Sequence, residues 1–283
     1  MTGLTASGIT RLIGQLSVAA SLSIAVPCGA TEAGQPTDTH VAFEQIDNAR
    51  DLGGLVTADG HKIKPGRLFR SANPGLASTG DIARLKTFHL DAVVDFRTPS
   101  ERSPATEQAF AAAFPWISDP VLSGDFSAKS FFGWLRTATA QDADAFMIDS
   151  YRRFPSDFQS QFKAFLTLAE QNKSILYHCT KGKDRTGFAS LLLLSALGVA
   201  PDTIMDNYLE SNQWNAASNE ATVAKVAPTG IKPDVLQALL TVKPEYLNAA
   251  LDVINQQYGG MDAYLRNTLK VDVDAIKRNY LTR

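Results

Sequence analysis

One eleven-residue run, Tyr177-His178-Cys179-Thr180-Lys181-Gly182-Lys183-Asp184-Arg185-Thr186-Gly187, constrains this chain more than any other feature. The apolar Ser174-Ile175-Leu176-Tyr177 leads into it as a strand. Phe188-Ala189-Ser190-Leu191-Leu192-Leu193-Leu194 leads out as a buried helix that should end at Gly198. The order is strand, six-residue loop, helix. Amides of such a loop and of the helix's first turn lack intrahelical acceptors, and the helix dipole favours negative charge at the same point. The loop is therefore an oxyanion cradle, with the Cys179 thiol where it opens and the Arg185 fork where it closes. A phosphate fits between them.

The residue types suit that chemistry. Loop amides, a helix N-terminus and nearby cations lower a thiol pKa from roughly 8.5 to about 3.5–7.5, so Cys179 is expected to be a thiolate at neutral pH. A shift of about three units needs about 4 kcal/mol in favour of the charged form, within reach of several directed N–H groups with Arg185 and Lys183. Arg185 can hold two phosphoryl oxygens and follow them into the transition state, which a point charge such as Lys183 does less well. Thr186 has two readings: a hydroxyl bonded to the sulfur, making it a better leaving group, or a plain helix N-terminal hydroxyl.

These residues resemble the protein tyrosine phosphatase superfamily, whose signature is His-Cys-x5-Arg-Thr-Gly. Gly182-Lys183-Asp184-Arg185-Thr186-Gly187 is similar to its branch of secreted bacterial tyrosine and phosphoinositide phosphatases of dual or triple specificity. A second run, Asn48-Ala49-Arg50-Asp51-Leu52-Gly53-Gly54, resembles the N-terminal signature of the same branch. The resemblance implies an α/β fold with a central, mostly parallel sheet flanked by helices. It also implies phosphate monoester hydrolysis through a phosphocysteine, without cofactor or metal. Substrates would be a phosphorylated protein (phosphotyrosine, phosphoserine or phosphothreonine) or a phosphoinositide. Cys179 and Arg185 would be catalytic, Asp184 the general acid, and Thr180, Lys181, Gly182, Lys183, Thr186 and Gly187 would bind substrate. Lys181 departs from the small residue expected there; it either favours polyanionic substrates or is a solvated surface lysine. Asn207 stands before Tyr208 where the pattern has Asp, which puts any carboxylate role there in doubt.

Along the chain, Arg11 followed by the apolar stretch 12–26 and the small residues Cys28-Gly29-Ala30 read as a signal peptide over 1–30, cleaved near Ala30 for export to the periplasm or beyond. The stretch is too short and Ser-rich for stable membrane insertion. Residues 31–42 read as a disordered tether and 43–283 as a single phosphatase domain. Arg50 and Asp51 suggest an ion pair fixing a turn, in preference to a catalytic role. A helix is expected over 79–89, and 91–96 is a buried strand that delivers Asp95 and Arg97 to the crevice. Asp95 is a second candidate acid, a carboxylate orienting Arg185, or a strand-end partner of Arg97. Residues 115–117 suggest a third short strand. The aromatic cluster Phe131-Phe132-Gly133-Trp134-Leu135 belongs to a candidate lid over 122–140, or to an outer helix packed on the core. Two helices separated by Pro155 should lead back to the catalytic strand, and 212–232, rich in Ala, Ser, Asn and Thr, reads as a mobile loop. Pro233 and Pro244 then open a helical C-terminal layer.

The chain has 283 residues and a formal net charge of −2, so its attraction for phosphate is local and nothing suggests nucleic acid as a partner. Scattered His40, His61, His89 and His178, with no Cys-x-x-Cys, provide no zinc-ligand spacing. A nucleotide P-loop is excluded because Asp184 replaces its Ser/Thr. A phospho-ligand binding module without turnover remains the alternative class.

Overall fold

In this computed structural model, residues 39–122 and 128–282 are described and fall in one compact unit. The signal peptide, most of the tether and part of the candidate lid lie outside the described residues. Residues 39–42 already belong to the fold: Val41 N–H donates to Ala49 O at 2.9 Å, Asp51 N–H to Thr39 O at 2.8 Å, and the His40 ring stacks on Trp214 at 3.7 Å.

The sheet has the order β1-β2-β5-β3-β4. Its strands are β1 (Arg50–Asp51), β2 (Leu68–Ser71), β3 (Ala92–Asp95), β4 (Trp116–Ser118) and β5 (Ile175–His178). β1 runs antiparallel to β2, and every other pairing is parallel. β5 is central, and its last residue lies level with Ser71 and Asp95 on either side. The carboxyl ends of β2, β5, β3 and β4 therefore share one edge, which is where a doubly wound sheet opens its crevice. Alternate strand residues serve opposite faces. Phe69, Val93 and Leu176 pack with Ile46, Leu85, Phe110 and Phe114 on one side, while Leu68, Val94, Ile175 and Tyr177 join the larger core on the other.

The smaller face is covered by α1 (Thr79–Lys86) and α2 (Pro104–Ala113). α1 starts one residue after its cap, Ser78, which with Asp81 forms a capping box. After α3 (Ala128–Leu135), the larger face receives α4 (Ala140–Asp157), α5 (Gln159–Glu170) and α6 (Arg185–Leu197). Every residue of α6 except Ser195 is buried, and Gly198 closes it in the left-handed conformation at φ 83°. Phe188 anchors α6, its ring lying 4.8 Å from Phe162 and 5.5 Å from Phe154.

The α4–α5 boundary falls at Phe158 rather than at Pro155, through which α4 continues. A proline so near a helix end removes a single ladder bond. Its carbonyl accepts from the Tyr264 hydroxyl at 2.7 Å and from Gln159 Nε2 at 3.0 Å.

The C-terminal layer comprises α7 (Pro201–Leu209), α8 (Ser211–Trp214), α9 (Ala216–Val226), α10 (Pro233–Leu240), α11 (Pro244–Tyr258), α12 (Met261–Ala263) and α13 (Val273–Tyr280). The expected loop over 212–232 is thus mostly helical. Its Ala and Glu residues favour helix, and its Asn side chains reach neighbouring carbonyls instead of breaking the backbone: Asn215 Nδ2 donates to Lys181 O at 3.1 Å and Asn219 Nδ2 to Leu240 O at 2.9 Å. Phe131 and Trp134 of α3 pack on Phe146 of α4, with ring centroids 5.6 and 5.4 Å away, and against the Val235 side of α10; Phe132 stays exposed. Among the described residues, no helix is long and apolar enough to cross a membrane.

Candidate active site

The loop 179–184 joins β5 to α6 at the shared strand edge. Gly182 has φ +63°, and a Cβ there would meet Ser71 O at 2.3 Å, so only glycine fits. The loop carbonyls are tied outward. Gly182 O accepts from Arg70 Nη2 at 2.9 Å and Asn48 Nδ2 at 3.0 Å; Lys181 O accepts from Asn48 Nδ2 at 3.0 Å; Thr180 O accepts from Asn73 N–H at 3.1 Å. A trans peptide points its C=O and N–H in opposite directions. Carbonyls held outward at 180, 181 and 182 therefore turn the amides of Lys181, Gly182 and Lys183 the other way, into the cradle.

Cys179 is buried at the end of β5. Beside it, burial pushes the His178 imidazole down to about 4, despite Asp95 Oδ1 at 3.8 Å, so the ring is neutral near pH 7. Arg185 begins α6 and is buried except for its edge. Its fork meets one carboxylate head-on: Nη1 donates to Glu101 Oε2 and Nη2 to Glu101 Oε1, each at 2.7 Å. Nη1 also donates to Phe96 O at 3.1 Å and Val121 O at 3.2 Å. Burial raises the Glu101 carboxyl, but the Arg185 fork, with Thr98 and Thr180, outweighs it and holds the group at about 2. Glu101 also accepts from Thr180 Oγ1 at 2.8 Å, so a single carboxylate fixes both the arginine and the start of the loop.

The carboxylate that orients Arg185 is thus Glu101 and not Asp95. Asp95 is fully buried and engaged with Arg97, whose Nε and Nη2 donate to Oδ1 at 3.0 Å and Oδ2 at 2.8 Å; Arg97 also bonds Glu107 at 2.8 Å. That is the strand-end ion pair. Asp184 keeps a partly exposed carboxylate whose Oδ1 accepts from Lys183 Nζ at 2.7 Å and from the Tyr151 hydroxyl at 2.9 Å. Tyr208 donates to Tyr151 at 2.8 Å, and burial together with the Asp184 charge keeps both phenols protonated. Lys183 is buried against Asp184 and Thr241 O, so its ammonium is spent on the loop's own architecture. Lys181 is a half-buried lysine bonded to Ser218 Oγ at 3.0 Å rather than a solvated one. The Thr186 hydroxyl is buried without a hydrogen-bond partner among the described residues, and Gly187 packs against the Tyr208 ring, which a Cβ would meet at 2.9 Å.

The Arg50–Asp51 ion pair does not form. Asp51 fixes its turn through the amides of Gly53 at 2.8 Å and Gly66 at 2.7 Å, whereas Arg50 points into the protein toward Glu210, 3.5 Å away. Several site residues had no functional reading in the sequence. Glu101 carried a usable signal, since Thr98-Pro99-Ser100-Glu101 has the spacing of a capping box and forms one. Asn48 carried one as the first residue of the run that resembles the N-terminal signature; Arg70 and Tyr151 carried none. Asp119, just past β4, is a further rim carboxylate that burial pushes up to about 6; no side-chain partner is seen for it among the described residues.

The arrangement brings together a buried thiol, inward amides, a helix N-terminus, an oriented guanidinium and an adjacent partly exposed carboxylate. It suits displacement at phosphorus. Comparison with known proteins agrees. The model of the family described as "Tyrosine phosphatase family" matches residues 41–282. A Cupriavidus necator protein with the provisional name tyrosine-protein phosphatase is 48% identical over 241 residues, covering 85% of this chain and 88% of its own. The triple specificity protein phosphatase PtpB of Mycobacterium tuberculosis is 29% identical over 254 residues, covering 78% and 90%. Among solved structures, P. aeruginosa TpbA in complex with phosphotyrosine aligns over 77% of this chain and 88% of its own, at 14% identity and a TM-score of 0.30, a likeness too slight to carry an argument.

Proposed function

Because this chain belongs to the tyrosine phosphatase family, we propose that it hydrolyses phosphate monoesters through a phosphocysteine formed on Cys179. The observation that carries this reading is the loop from Cys179 to Arg185, with its amides turned inward and the Arg185 fork held by Glu101. In the first step the Cys179 thiolate attacks phosphorus, the S–P bond forms, the ester P–O bond breaks, and Asp184 gives its proton to the leaving oxygen. In the second step water attacks, the Asp184 carboxylate takes a proton from it, and the S–P bond breaks to return the thiolate and inorganic phosphate. Asp184 is preferred over Asp95 as the acid because it adjoins Arg185 and is partly exposed, whereas both Asp95 oxygens are occupied by Arg97.

Phosphotyrosine, phosphoserine or phosphothreonine, and phosphoinositides are the proposed substrate classes; the name of the mycobacterial relative, triple specificity protein phosphatase, supports a breadth of more than one class. Lys181 adds charge at the loop for polyphosphorylated head groups. Residues 1–30 are proposed to be an export signal, which N-terminal sequencing of the protein recovered from outside the cytoplasm would test. The mechanism is tested with Cys179→Ser. This variant should lose hydrolysis of p-nitrophenyl phosphate and still bind inorganic phosphate; near wild-type turnover would defeat the reading. A binding module without turnover is the reading left if the wild-type chain binds phosphate and hydrolyses no ester.

A further inference from the structure

Arg50 and Arg70 face each other directly across β1 and β2, and both side chains are fully buried. Like charges in direct cross-strand opposition are unfavourable, and buried charges are ordinarily paired. Here the pairing is incomplete. Arg70 Nη1 donates to Asn207 Oδ1 at 2.9 Å and Nη2 to Gly182 O at 2.9 Å, both neutral acceptors. Arg50 donates to Asn207 O, to Asn48 Oδ1 at 2.9 Å and to Ser211 Oγ at 3.0 Å. Among the described residues, Glu210 is the only carboxylate within 4.0 Å of either guanidinium, 3.5 Å from Arg50 and one-third exposed. The Nε of each arginine and Nδ2 of Asn207 are buried without any acceptor among the described residues.

The other charged groups around Cys179 come with partners. Arg185 has Glu101, Lys183 has Asp184, Arg97 has Asp95 and Glu107, and Arg50 has Glu210. Lys181 turns to Ser218, the Tyr177 hydroxyl is shared with Ser190, and His178 is neutral. Among the described arginines of the site, Arg70 holds its charge against neutral oxygens alone, those of Asn207, Gly182 and Ser211. Burial lowers its pKa, and its Nη2 bonds the loop itself at Gly182 O, three residues from Cys179.

We propose that Arg70 is a positioning residue for the phosphate-binding loop, and that the neutral amide at Asn207 leaves its charge uncompensated, so that it acts as a fixed positive field favouring the Cys179 thiolate and a bound phosphate anion. The inference rests on Cys179 being the nucleophile, and its deciding readouts do not depend on turnover. Alkylation of Cys179 by iodoacetamide in the full chain would be followed against pH by peptide mass spectrometry, which separates it from Cys28, alongside thermal melting and protection by inorganic phosphate.

Asn207→Asp places a carboxylate against Arg70 Nη1, where the amide oxygen now accepts. It should raise the melting temperature, move the thiol midpoint up by on the order of one pH unit, and weaken phosphate protection several-fold. Arg70→Gln should move the midpoint the same way. Arg70→Lys should leave the midpoint close to wild type while slowing turnover, because the charge stays and the bond to Gly182 O is lost. A depressed wild-type midpoint that Asn207→Asp leaves in place, or a lower melting temperature in that variant, would overturn the inference alone. A wild-type midpoint near roughly 8.5 would overturn it together with the nucleophile reading.

Discussion

The two sides of the phosphate-binding loop solve the same problem in opposite ways. On the Arg185 side a guanidinium is neutralised by a carboxylate, Glu101, through two bonds of 2.7 Å. On the Arg70 side a guanidinium of equal charge meets, among the described residues, only neutral acceptors: Asn207 Oδ1, Gly182 O and, at 3.5 Å, Ser211 Oγ. Charge-assisted bidentate pairs are short and direction-specific, so the first arrangement fixes where a donor points. Neutral acceptors leave the charge unbalanced, so the second preserves a field. An anion-binding loop needs both a precisely aimed donor and a surplus of positive charge, and this chain assigns the two tasks to different arginines.

The largest effect that tests this division is expected at Arg185. Arg185→Lys keeps the charge and loses the fork, so kcat/KM should fall by at least about 10²-fold, the scale seen when a transition-state donor is removed. A fall comparable to that of Arg70→Lys would erase the distinction between the two sides. Next comes Asp184→Asn, which should slow hydrolysis of alkyl phosphates by roughly 10²–10⁴-fold and activated aryl phosphates much less. If Asp95→Asn shows the leaving-group dependence instead, the acid has been misassigned.

A smaller loss, about tenfold in kcat/KM, is expected for Glu101→Gln, which keeps an acceptor for Arg185 without its charge. The same variant carries a pH signature. The Glu101 carboxyl is held at about 2, below its ordinary 4.5, so its contribution to stability is present above about pH 4.5 and is lost as pH falls toward 2. The stability gap between wild type and Glu101→Gln, measured by urea unfolding, should therefore shrink across that window. A gap independent of pH would mean that Glu101 is not charge-paired in solution. The smallest effect is at Lys181, whose ammonium is already bonded to Ser218. Lys181→Ala should lower phosphoinositide rates by about two- to threefold more than phosphopeptide rates. Equal losses would remove its role in polyanion preference.

The catalytic loop was legible in the sequence because it is local. A strand, a loop and a buried helix that should end at Gly198 are written in consecutive residues, and Gly198 closes that helix in the left-handed conformation. The groups that hold the loop were not legible, because they come from far along the chain. Glu101 reaches Arg185 across 84 positions and Arg70 reaches Gly182 across 112, and periodicity says nothing about which loop ends up beside which strand. The sequence places Asp95 at a strand end facing the crevice, where a carboxylate could orient Arg185, but Arg97, two residues on, captures it first. The stretch 212–232 looked irregular by its Asn and Ser content. Those side chains leave the helix to bond Lys181 and Leu240, a tertiary outcome that local propensity does not encode.

The central claim is that Cys179 carries the phosphoryl group between the two chemical steps. Rapid quenching of the enzyme during turnover of a ³²P-labelled aryl phosphate, followed by digestion under denaturing conditions, measures this directly. The label should appear in the peptide containing Cys179, be absent from Cys179→Ser, and accumulate further in Asp184→Asn, where activation of the attacking water is impaired. Turnover with no label on that peptide, undiminished in Cys179→Ser, would contradict it.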